Sequence, residues 1–238
     1  MTRKIVDQMV VSLAREIQDG ETVFHGVASP MPMVAILLAK AGHAPNATYL
    51  NITGGVNARP KQLTASTDGP NLLENSSCIF GLADIFDLSA RGRLDLAFLS
   101  GVQIDQYGNL NCSVVGDFHV PKVRFPGGAG SAVILPTARR VVIWRTKHNT
   151  KSFIEQVDFI SAQGNVDVVV TPLCVFRKQA NRLALDTVHS FSSLEEVLRN
   201  TGFAVAEHDV NMTPPPTPDE LKLLQEIDPD RVRDVEFG

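Results

Sequence analysis

Three stretches of the 238-residue sequence carry groups that could do chemistry. The first is GVQIDQYGNLN (101–111), which follows a continuous apolar run and gathers Gln103, Asp105, Asn109 and Asn111 within a few residues. Ligands of open α/β sheets collect beyond the carboxyl ends of strands, so amides and a carboxylate at that point suit contact with a polar substrate. The same residue types also build tight turns, in which Asp105 and Asn109 bond their own backbone. The second is RFPGGAGSA (124–132). Its small residues let a backbone approach a ligand closely, and successive N–H groups there can cradle a phosphate or an oxyanion. It has neither the Lys-Ser/Thr ending of a P-loop nor the G-x-G-x-x-G spacing of a dinucleotide site. The third is NATYLNITGG (46–55), a strand running into a glycine turn, where an α/β enzyme often presents a catalytic side chain. Here the turn offers only Asn51, Ile52 and Thr53. His25, beside Gly26 at the end of an earlier strand, is a candidate base for the same pocket, with a hydrogen-bonded structural histidine as the other reading.

The elements that must position these groups follow from periodicity. Val6, Val10, Leu13 and Ile17 recur at helical spacing before an Asp19-Gly20 stop, which predicts an opening amphipathic helix. ETVFHGV (21–27) and ATYLNI (47–52) read as strands on either side of a helix over MVAILLAKAG. GLADIFDLSARGR (81–93) reads as a helix, and LDLAFLSG (94–101) as a strand covered on both faces. Strand-like runs return at RVVIW (140–144) and VDVVVT (166–171). Ser193 and Glu196 form a capping box that starts a helix ending before Gly202. TPPPTP (213–218) is a stiff linker into a last helix, with Thr217 as cap, Pro218 first and Glu220 closing the box. The alternation predicts an α/β fold with a twisted, mainly parallel sheet and flanking helices. One domain over 1–212 is expected, with the linker and C-terminal helix (213–238) packing on it.

Composition narrows the function classes. A hydrophobic fraction of 44% and a charged fraction of 20% are those of a soluble globular chain. A net charge of −4 argues against nucleic acid as a main partner, since phosphate binding shows as a basic surplus. Cys78, Cys112 and Cys174 are far apart with no C-x-x-C pair, so neither a metal site nor a disulfide framework is expected. The charged N-terminal stretch resembles neither a signal peptide nor a membrane span, which leads to a cytoplasmic expectation.

Read together, the stretches carry a resemblance. GVQIDQYGNLNCSVVGDFHVPKVRFPGGAG (101–130) is similar to the B-type chain of the class I CoA-transferases, above all the glutaconate and 3-oxoadipate type. GVASPMP after the first strand, FIEQVDFISAQG (153–164) and SLEEVLRNTGF (193–203) support it in order. The resemblance implies a CoA-transferase-like fold, a partner A-type subunit in a heterodimer or heterotetramer, and a site at the A/B interface. It implies an acyl-CoA thioester as substrate and no bound cofactor or metal. In such enzymes a glutamate of the B-type chain attacks the thioester, giving an acyl-glutamyl anhydride and then a glutamyl-CoA thioester. A backbone N–H of the glycine-rich turn, here that of Gly130, stabilises the oxyanion, while Gly127, Gly128 and Ala129 shape the loop. Gln103, Asn109 and His25 are expected to contact substrate or CoA.

The family glutamate falls on LNITG (50–54), where its place is taken by Ile52. An aliphatic side chain has no lone pair, so covalent catalysis from this position is excluded. Glu74, in LLENSS, lies more than twenty residues later with no glycine turn after it, and reads as a surface or loop carboxylate. The expectation is a B-type subunit whose essential carboxylate comes from the A-type partner, as in the related steroid-ring-cleaving hydrolase, with hydrolysis or C–C cleavage at least as plausible as CoA transfer. A non-catalytic acyl-CoA-binding or structural subunit is the reading from a different class.

Overall fold

The computed structural model describes residues 2–205 and 210–237. The chain forms two compact units, one running to Phe98 and resuming at Pro216, the other spanning Leu99–Pro215. Residues 1–212 therefore contribute to both units, and the C-terminal helix joins the first. One boundary falls inside the 213–218 proline run, where a stiff chain separates contacts.

The first unit opens with α1 (Thr2–Arg15), β1 (Thr22–His25), α2 (Pro30–Ala41) and β2 (Thr48–Asn51). β1 pairs in parallel with β2, Thr22 opposite Thr48 and His25 opposite Asn51. Two short strands, β3 (Gly55–Val56) and β4 (Cys78–Ile79), extend the sheet antiparallel. After α3 (Leu82–Ala90), β5 (Leu96–Leu99) returns to the other side of β1, again parallel. The order is β5–β1–β2–β3–β4. β1 lies between β5 and β2, and its Val23, Phe24 and His25 are all buried.

In the second unit β6 (Gln103–Asp105), β7 (Leu110–Asn111), β8 (Val114–Gly116) and β9 (Pro121–Arg124) are too short to show a sequence period. α4 (Ser131–Thr137), β10 (Arg140–Trp144), β11 (Phe153–Ile154) and β12 (Val166–Val170) follow. β10 and β12 pair in parallel, with Val and Ile side chains buried along both. β13 (Cys174–Gln179) and β14 (Arg182–Val188) form an antiparallel hairpin on β12. Its two-residue turn holds Ala180 at φ 46° and Asn181 at φ 70°, the left-handed pair that matches strand twist. Without glycine at either position, the sequence gives little warning of it. α5 (Leu194–Asn200) and β15 (Asn211–Met212) complete the unit. Ser193 Oγ accepts from Glu196 N at 3.1 Å, the expected cap.

The chain returns to the first unit with α6 (Pro218–Ile227) and a 3-10 turn over Val232–Phe237. The capping box at Thr217 and Glu220 forms as expected. Glu220 also takes Arg15 Nε at 2.9 Å and Nη2 at 2.7 Å, fastening α6 to α1. Cover from α2, α6 and the 3-10 turn explains why α1 buries Gln8, Val11 and Ser12 as well as its apolar stripe.

Among the described residues, three histidines lie within these units with almost no exposure: His25, His148 and His189. Burial pushes His148 down to about 3, and His25 and His189 down to about 4. The unfolded chain takes up these protons near pH 6.5, the folded chain only near the lowered values. Stability is therefore full above pH 6.5 and is lost as pH falls from there toward 4, by about 1.4 kcal/mol per pH unit for each group. A urea midpoint that holds steady above pH 6.5 and drops steeply below it is the expected result; a midpoint unchanged down to pH 4 would contradict it.

Candidate functional site

In the first unit the parallel strands β1 and β2 end side by side at His25 and Asn51. The 51–54 turn closes through Gly54 N, which donates to Asn51 O at 3.0 Å. Gly54 sits at φ +103°, and a Cβ there would lie 2.3 Å from the Phe80 carbonyl oxygen. Gly55 is just as confined, its hypothetical Cβ 2.3 Å from Leu72 O. The two glycines are thus required by close backbone approach. Asn51 is fully buried and locks the turn, its Oδ1 accepting from Gly55 N at 3.1 Å and its Nδ2 donating to Leu72 O at 2.9 Å. Ile52 follows, half-buried, between this lock and Thr53.

His25 is 0% exposed and both its ring nitrogens are occupied. Nδ1 lies 2.9 Å from the Gly26 carbonyl, which can only accept, so this nitrogen carries the proton. Nε2 then accepts from the Tyr49 hydroxyl at 2.6 Å. Burial drives His25 down to about 4, partly offset by the Gly26 bond, and drives Tyr49 up. The pair is a closed structural unit, with no nitrogen left for a substrate. Glu74 is exposed and accepts from Lys61 N at 2.9 Å, as a loop carboxylate does.

In the second unit the polar residues after β5 are also paired inward. Asp105 is fully buried; its Oδ1 accepts from Tyr107 N at 2.9 Å and Asn109 N at 3.0 Å, and its Oδ2 from Asn109 Nδ2 at 2.9 Å. This is the self-bonded turn, and Asn109 braces it. Gln103 is 4% exposed and acts as a hub. Its Nε2 donates to Asp158 Oδ2 at 3.0 Å, while its Oε1 accepts from Asn111 Nδ2 at 2.6 Å and Asp158 N at 3.1 Å. The same Asp158 oxygen accepts from Gly116 N at 2.8 Å. Gln103 and both ring nitrogens of His25 thus have partners inside the fold, and Asn109 spends its N–H and Nδ2 on Asp105.

The glycine-rich turn differs. Gly127, at φ +99°, donates its N–H to Cys112 O at 2.9 Å. Ala129 adopts φ +43°, and Gly130, at φ −64° and ψ −22°, leads into α4. Ser131 closes the turn, its N and Oγ both donating to Gly128 O. Among the described residues, no carbonyl or side chain accepts from the amides of Gly128, Ala129 or Gly130. Three successive N–H groups without an intramolecular acceptor, in a left-handed-to-right-handed turn, can receive an anion. Burial raises the Cys112 thiol and takes Cys174 up to about 12, which disfavours the thiolate that either would need as a nucleophile. Asp158 and Tyr49 are contributors that sequence reasoning passed over, because their partners are set only by folding.

The family described as Coenzyme A transferase matches residues 6–200. The chain is 28% identical to the B-type chain of 3-oxoadipate CoA-transferase from Pseudomonas knackmussii, over 93% of this chain and 92% of that one. It is 27% identical to the cholesterol ring-cleaving hydrolase IpdB subunit of Rhodococcus jostii, over 89% and 88% of the two chains. Among solved structures, the crystal structure of the decarboxylase AibA/AibB superposes with a TM-score of 0.91 at 29% identity, covering 97% of each chain. These relatives carry out a transfer, a hydrolysis and a decarboxylation on one fold, so the reaction has to be argued from the site.

Proposed function

The chain belongs to the coenzyme A transferase family, and from that premise we propose that it is the B-type subunit of a two-subunit enzyme acting on an acyl-CoA thioester without a nucleophile of its own. The observation that carries this reading is the 51–54 turn. Its backbone lock is formed, with Gly54 and Gly55 confined by neighbouring carbonyls, and by the family resemblance Ile52 takes the place of the glutamate. Asn51 cannot substitute, since both ends of its amide are used in the lock. The working carboxylate then comes from the A-type partner. The complex is a heterodimer or heterotetramer, in the cytoplasm, and the CoA thioester is substrate rather than a resident cofactor.

Gly130 N–H is the proposed oxyanion donor, with Gly127, Gly128 and Ala129 shaping its turn. In hydrolysis the thioester oxygen becomes a tetrahedral oxyanion; in C–C cleavage beside a thioester it becomes an enolate oxygen. Both place negative charge on the same atom, so one donor serves either reaction. Loss of the glutamate, together with the likeness to a decarboxylase and a hydrolase, favours these outcomes over CoA transfer.

Ile52→Glu tests the reading. With the A-type partner, acyl-CoA and an acceptor carboxylate, the wild-type complex is expected to turn over the thioester with no covalent CoA on this chain. The variant is expected to gain a glutamyl-CoA thioester, seen by mass spectrometry and lost on borohydride reduction. A borohydride-sensitive CoA adduct on the wild-type chain would defeat the argument. Binding of CoA esters without turnover would favour a non-catalytic subunit instead.

A further inference from the structure

We propose that Ser161 is the positioning residue that holds the glycine-rich turn in its donor geometry, an inference that rests on reading Gly130 as the oxyanion donor. Ser161 lies in the 155–165 stretch between β11 and β12 and meets the turn by two routes. Its Oγ accepts from Cys112 N at 2.9 Å and lies 2.5 Å from Ser113 Oγ. The next backbone groups along pass that grip on: Cys112 O accepts from Gly127 N at 2.9 Å, and Ser113 O accepts from Phe125 N at 2.8 Å. By the second route, the Ser161 carbonyl oxygen packs on Gly128, so closely that a Cβ there would sit 3.0 Å from it. Ser161 is itself fixed, its N–H donating to Leu110 O at 2.8 Å.

The consequence is a short chain of bonds from one hydroxyl to the turn. Removing the hydroxyl leaves the Cys112 amide without its acceptor and loosens the backbone beside the Cys112 carbonyl that holds Gly127, while Ser113 N stays bonded to Asn111 Oδ1 at 2.9 Å. The Gly128 carbonyl stays bonded to Ser131, so the turn shifts rather than unfolds. A donor moved by a fraction of an ångström still binds the ground-state thioester but meets the developing charge poorly. That is a loss in kcat rather than in KM.

In the A/B complex, Ser161→Ala is expected to lower kcat on an acyl-CoA by about 10- to 100-fold with KM within about two-fold. Ser161→Thr, which keeps the hydroxyl, should restore most of it. Hydrogen–deuterium exchange on the full-length chain supplies a readout independent of turnover. Ser161→Ala should speed exchange over 112–127 and leave α1 unchanged, and Ser161→Thr should return the protection. Wild-type kcat in Ser161→Ala, equal losses in the alanine and threonine variants, or unaltered exchange over 112–127 would each overturn the inference. If the wild-type complex neither binds nor turns over any CoA ester, the functional reading fails, while the exchange result still decides whether Ser161 holds the turn.

Discussion

Replacing Gly130 by proline is expected to cost the A/B complex roughly 10²–10³-fold in kcat, the loss that follows removal of one preorganised oxyanion donor. The residue suits the test because its backbone, at φ −64° and ψ −22°, already has the torsion that proline imposes. Its N–H has no acceptor among the described residues, so no internal hydrogen bond is broken with it. Its carbonyl, which accepts from Ile134 N at 2.9 Å, is untouched. The cost to guard against lies one residue earlier, where Ala129 at φ +43° precedes the new ring. Gly130→Ala is the matched control: it keeps the N–H and should retain most of the wild-type kcat. Steady-state kinetics on the two variants, with unfolding midpoints alongside, separate a lost donor from a disturbed turn. Equal kcat values for proline and alanine would remove Gly130 from the mechanism.

Arg233→Ala is expected to destabilise the first unit by about 3–5 kcal/mol, the scale for stripping one partner from a buried ion pair. Arg233 is 2% exposed, and it reaches Asp228 Oδ2 at 2.8 Å and Asp7 Oδ1 at 2.8 Å. It also donates to the Asp228 carbonyl at 3.0 Å. Asp228 is 1% exposed, so truncation leaves its carboxylate buried and short of its counter-charge. Backbone N–H groups of Val232, at 2.7 Å, and Arg233, at 3.1 Å, remain to it, which sets the cost at this level and not higher. Urea denaturation measures the loss. Arg91→Ala is the contrast, since the Arg91–Asp87 pair is 66% and 59% exposed and should barely move the midpoint.

The fold was legible where local signals are strong. α1, α5 and α6 announce themselves through apolar spacing and caps, and β1 and β2 through apolar runs before turns. The stretch from β6 to β9 was not, because strands of two to four residues carry no usable period. The β13–β14 hairpin escaped for another reason: its Ala180-Asn181 turn adopts positive φ without a glycine to mark it. The C-terminal segment illustrates a third limit. Proline and capping signals show that a helix follows the linker, but not that Arg15, Asp7 and Met31 of the first unit receive its side chains.

The candidate site divides along the same line. Sequence alone determined that a glycine turn follows β2, that Ile52 occupies it with no lone pair to offer, and that small residues at 127–130 leave room for a backbone to approach a ligand. Those are properties of residue type and backbone freedom, fixed before any tertiary contact forms. Only the tertiary structure decided which polar side chains are free. Gln103 is engaged by Asp158, 55 residues away, and His25 by Tyr49, 24 residues away. An amide or imidazole has the same chemistry in the sequence whether it faces a ligand or a buried partner. Burial decides between them, because a polar group removed from water must find its hydrogen bonds inside the fold.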